Sequence, residues 1–131
     1  MATISNAARS AMCDAFTALI NAGTGNSAGQ IKLQTTAGAA DVATIALNNP
    51  AFAAASNGVA ALSVSPAIAD TNAAGGTVAQ FVIQNKSSVT VLTGSVGVVG
   101  SGADMELNSL TVPAGIEVLL TSGNITVPAS N

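Results

Sequence analysis

Side chains that could do chemistry are few, and two of them share one short stretch. "GADMELN", residues 102–108, sets Asp104 and Glu106 two positions apart. In an extended chain that spacing puts both carboxylates on one side. With nearby carbonyls such a pair could hold Ca²⁺. It reads equally well as two solvated charges guarding an exposed strand edge. By residue type alone, Asp104, Glu106 or Glu117 could also supply the carboxylates of a glycosidase. With no Tyr, no Trp and three Phe, however, there is little aromatic surface on which to seat a sugar or stack a base. Cys13 is the sole cysteine, so no intrachain disulfide exists, and it reads as a small, partly buried hydrophobe. The chain has no His, which closes Ser-His-Asp and Cys-His catalysis and zinc sites built from His and Cys. "GTGNSAG", residues 23–29, is Gly-rich but lacks the preceding strand and following helix of a phosphate-cradling loop. These readings assign no catalytic residue, no cofactor and no metal.

The composition points the same way. Of 131 residues only 7% are charged, against roughly 25% in an ordinary domain. Arg9, Lys32 and Lys86 are the only basic residues, too few for a patch that would bind a nucleic-acid backbone. The length suits one domain with a real core. No uncharged apolar run reaches the roughly 18 residues of a membrane span, and the opening "MATISNAARSAM" does not resemble a signal peptide. Synthesis and folding in the cytoplasm are therefore expected. A neutral, Ala-rich surface suits a subunit packed against copies of itself or a scaffold, although a compositional bias of the genome would also produce it.

What must position these side chains is one helix followed by strands. Ile4, Ala8, Met12, Ala15, Phe16, Leu19 and Ile20 recur at three- and four-residue steps, predicting a helix over residues 4–22 with one apolar stripe. Ser5 or Asn6 can cap its start and Gly23 can end it. Beyond Gly23 the period falls to two. "QIKLQTT" and "VATIALNNP" read as strands, and Asn57-Gly58 is a strong hairpin signal. A long hairpin is expected with strands at 77–84 and 89–96 and "NKSS" at its turn. Apolar residues change phase between Leu107 and Leu110, predicting a bulge or bend near Asn108-Ser109. Pro113-Ala114-Gly115 reads as a turn, after which Ile116, Val118 and Leu120 face inward and Leu119 outward. The expected fold is mainly β: an antiparallel sandwich or jelly roll of about eight strands preceded by one helix. Residues 1–27 form a helical arm and linker packed outside the main core, and residues 28–131 form the strand domain.

Taken together, "SNAARSAMCDAFTALINAG", "GQIKLQTT", "LNNPAFAAASNGVAAL", "GTVAQFVIQNKSSVTVLTGSVG" and "SGADMELNSLTVPAGIEVLLTSGNITVPA" resemble a group of small structural proteins of tailed bacteriophages. The likeness covers almost the whole chain, and "NPAF", "GSVG" and "GADMELNS" are its landmarks. It implies a virion component, above all a capsid decoration or cement protein. Its partners would be copies of itself, as a trimer, and the major capsid protein. The candidate interface is then Ile4, Ala8, Met12, Phe16, Leu19, Ile20 and Leu119. In this family the central strands are richer in aromatic and charged residues. "TVAQFVIQNKSS" keeps only Phe81 and Lys86, so no ligand site carries over. A tail or fibre module and a secreted adhesin-like domain are the competing roles. Copy number separates decoration from tail; the missing signal peptide and aromatics weigh against the adhesin.

Overall fold

A computed structural model describes residues 2–129. Helix α1 (Asn6–Ile20) is capped by Ser5, whose Oγ accepts a hydrogen bond from the Ala8 N–H at 3.2 Å. Eleven strands follow: β1 (Gln30–Gln34), β2 (Asp41–Ala46), β3 (Val59–Ala61), β4 (Ile68–Asp70), β5 (Gly76–Thr77), β6 (Gln80–Gln84), β7 (Thr90–Val98), β8 (Met105–Leu107), β9 (Thr111–Val112), β10 (Val118–Leu120) and β11 (Asn124–Thr126).

The chain is mainly β. Its centre is a five-stranded sheet in the order β2-β1-β6-β7-β8, accompanied by two-stranded ribbons β10-β4, β11-β3 and β5-β9. The sheet is antiparallel except at β7 and β8, which run parallel with Val96 opposite Met105. That pairing departs from the all-antiparallel expectation. The strand count exceeds the expected eight because six strands are only two or three residues of ribbon, β3, β4, β5, β9, β10 and β11. The chain bends at Asn108, as expected, but without a bulge. The phase change there is instead a change of partner, since β8 belongs to the large sheet and β9 pairs with β5.

One face of the large sheet makes the core. Ile31 and Leu33 of β1 stand beside Ile83 and Phe81 of β6 in register, and all four are buried. Gly94 of β7 lies opposite Phe81, and a Cβ there would collide with the ring. Only glycine leaves the ring its place. Ala60, Leu62, Ile68, Val112 and Leu120 join the same buried cluster from the smaller ribbons and their flanks.

Helix α1 joins that core rather than lying outside it. Cys13 and Ile20 are fully buried in the common cluster and Thr17 is 6% exposed. Polar groups tie the helix down further. The Ala55 N–H donates to Asp14 Oδ1 at 2.7 Å, the Ala51 N–H to Asn21 Oδ1 at 3.0 Å, and Arg9 Nε donates to the Val127 carbonyl at 2.8 Å. The change of period at Gly23 therefore marks a change of secondary structure, while the core runs across it.

Candidate interaction surface

The residues that pack α1 inward are Cys13, Thr17 and Ile20, at steps of four and three. The apolar stripe read from the sequence lies one position away and mostly faces out. Met12 is 50% exposed, Leu19 54%, and Ile4 and Ala8 are exposed as well. Phe16 is half-buried at the edge between the two lines. Ile20 corrects the expected interface: with no accessible surface it is a core residue and cannot touch a partner. Leu119 projects outward from β10 as expected, 47% exposed, while its neighbour Leu120 is buried. Ile116, expected to face inward, is exposed, because it precedes β10 instead of lying within it.

Of these side chains, Met12, Phe16 and Leu119 line an open groove of about 1220 Å³. Met12 and Phe16 line it from the helix, Phe81 and Leu92 from the sheet, Met105 and Leu107 from β8. Leu119, Leu120 and residues 121–127 complete the far wall. Val98 lies opposite Leu107 in register and Val99 donates its N–H to the Leu107 carbonyl at 3.2 Å. Both valines are exposed, so the apolar surface continues past the groove along the end of β7. The groove is larger than the roughly 300–1,000 Å³ of a small-molecule pocket, and it offers shape and apolar area more than polar anchors.

Asp104 and Glu106 sit at this groove, but their carboxylates do separate work. Asp104 Oδ2 accepts from the Ser95 N–H at 2.9 Å and the Ser95 hydroxyl at 3.0 Å. Those two donors hold its carboxyl below the usual carboxylate range. Glu106 Oε2 accepts from the Gly102 N–H at 2.9 Å, closing the loop on itself. Together they clasp the loop between parallel strands β7 and β8. Among the described residues no three His, Cys, Asp or Glu side chains gather as a metal site would require. Glu117 is exposed just before β10.

The opposite face of the large sheet has a different character. Gln30 Nε2 donates to Gln84 Oε1 at 2.8 Å, and Gln80 Nε2 to Gln34 Oε1 at 3.0 Å. Gln34 Nε2 and Lys32 Nζ then converge on Asp41 at 2.9 and 2.8 Å. Val82 lies opposite both Lys32 and Thr93 and is only 6% exposed. The result is a polar face whose amides are paired with one another. The alternation of Gln30, Lys32 and Gln34 with Ile31 and Leu33 marks the wet side of β1 in the sequence, but the pairing of its amides with Gln80 and Gln84 of β6 is not legible there.

Of the described helices, none is long and apolar enough to cross a membrane. The chain matches no family model, no curated protein and no solved structure.

Proposed function

We propose that this protein is a non-catalytic structural subunit of a tailed-bacteriophage virion, a decoration protein that binds the outer capsid shell as a homo-oligomer. The observation that carries the reading is the distribution of exposed apolar side chains. Eight large ones are exposed among the described residues: Ile4, Met12, Leu19, Val89, Val98, Val99, Ile116 and Leu119. The whole chain has only nine charged residues with which to keep copies apart (three basic and six acidic). A surface of that kind favours association, and the groove side offers a broad concave part of it. On this reading the groove side meets the shell and neighbouring copies, while the paired glutamines face water. Trimeric assembly and a jelly-roll form, common in capsid modules, belong to the same reading. Many weak contacts on one particle add up to firm attachment.

The test is binding of purified protein to bare particles of the phage that encodes it, followed by sedimentation and counting of bound copies. Hundreds of copies per particle and slower heat disruption of the shell are expected. A protein that stays monomeric at high concentration and binds no shell would overturn the reading. Tens of copies or fewer, on tails alone, would transfer it to the tail-module role.

A further inference from the structure

Asn57-Gly58 is the one place in the chain where Asn precedes Gly. That dipeptide is chemically unstable. The Gly nitrogen, once deprotonated, attacks the Asn side-chain Cγ. A C–N bond forms, ammonia leaves, and a five-membered succinimide results. Water then opens the ring to Asp or to isoaspartate, in which the backbone runs through the side chain. Glycine favours the reaction because no Cβ hinders the approach of its nitrogen.

Here the nucleophile is held. Asn57 and Gly58 occupy a two-residue turn with φ 52° and 80°, closed by reciprocal hydrogen bonds between Ser56 and Val59 at 2.9 and 3.0 Å. Asn57 is exposed to water, but Gly58 is buried. Its N–H donates to Ser10 Oγ of α1 at 3.1 Å, and its carbonyl accepts from the Val127 N–H at 2.8 Å. A Cβ on Gly58 would lie 2.8 Å from Arg9 Cβ, so the helix sits directly on the turn. To attack, the Gly58 nitrogen must leave Ser10, lose its proton and swing toward Asn57 Cγ. Each of these steps opposes the docked helix.

We propose that Asn57-Gly58 is a deamidation site gated by helix α1: shut while Ser10 holds the Gly58 N–H, and open when the helix lifts. The reaction consumes water and releases ammonia. It adds a negative charge and, in the isoaspartate product, an extra backbone methylene to the turn on which the helix rests. The modified turn no longer fits under Arg9 and Ser10, so one opening event leaves a permanent mark.

The test ages full-length protein at mildly alkaline pH and follows residue 57 by peptide mapping and isoaspartate labelling. Wild type, Ser10→Ala and Ser10→Thr are compared, with denatured wild type as the fully open limit. The exposed Asn108-Ser109 pair in the same chain serves as an internal reference for the intrinsic rate of the reaction, and the urea midpoint of each variant reports global unfolding. Native wild type should react far more slowly at Asn57 than the denatured chain. Ser10→Ala should react about two- to tenfold faster than native, the range one lost hydrogen bond gives, with Asn108 unchanged. Ser10→Thr, which keeps a hydroxyl, should stay near wild type. Equal rates in native and denatured protein would overturn the proposal, as would a Ser10→Ala rate at Asn57 that rises only in step with Asn108 or not at all.

Discussion

Asp41 carries the only ion pair among the described residues, 2.8 Å from Lys32 Nζ, and with Gln34 as second donor its carboxyl is held below the usual carboxylate range. Its pKa is thus lower in the folded chain than in the unfolded one. As pH falls the unfolded chain takes up the proton first, so the stability Asp41 lends is complete above about pH 4 and is lost below it. Asp104, held down by Ser95, acts in the same direction. The melting temperature should stay level from pH 7 to about 5 and decline below about 4. Asp41→Asn should flatten that decline, by an amount within about 1 kcal/mol because the pair is near the surface. A melting temperature that rises on acidification would contradict this. At this scale the sequence was informative where partners are near in the chain. The Asn57-Gly58 turn, and the turn at Asn85, whose Oδ1 accepts from the Ser87 and Val89 N–H groups, were legible for that reason. The partner of Asp104 lies nine residues away on another strand, so its role as a loop clasp had no local signal.

Helix α1 was legible in extent and cap, but its inward face was not. Met12 and Leu19 are the more hydrophobic residues, yet the fold buries Cys13 and Thr17. The smaller side chains let the helix approach β3 and β11 closely, and polar bonds from Asp14, Asn21 and Arg9 fix its rotation. Deleting residues 2–22 should therefore unfold the protein or lower its stability by several kcal/mol. Ile20→Ala alone should cost about 2–5 kcal/mol, the usual range for emptying a core site. Urea midpoints check both, with an unchanged slope expected for the point substitution alone. A deletion variant as stable as the full chain would restore the picture of a detachable arm. Strands β1, β2, β6 and β7 were readable because each runs over five or more residues, long enough to hold a β pattern. The ribbons were not, since two or three residues hold too little pattern to fix a partner. The parallel β7-β8 pair depends on a register between strands that no local period encodes.

Across the whole molecule the two sides differ in how they meet water. Introducing charge on the groove side, as in Met12→Glu with Leu119→Glu, should leave the melting temperature nearly unchanged, because both residues are about half exposed. It should reduce self-association by tenfold or more, an effect of about 1.4 kcal/mol, and reduce shell binding in parallel. Thr44→Lys, opposite Lys32 on the glutamine side and away from the groove, should change neither. Sedimentation velocity over a concentration series measures the difference, and equal loss from both sides would mean that the groove is not the contact. One further property follows from how the molecule is closed. The Ile4 N–H donates to the Ala129 carbonyl at 2.8 Å, so the two flanks of the chain leave the body at one point. A tether pulled from both flanks strains this junction before the sheet, whereas a load carried by the groove side reaches the sheet without passing through it. Cargo fused to either flank would hang from the same spot.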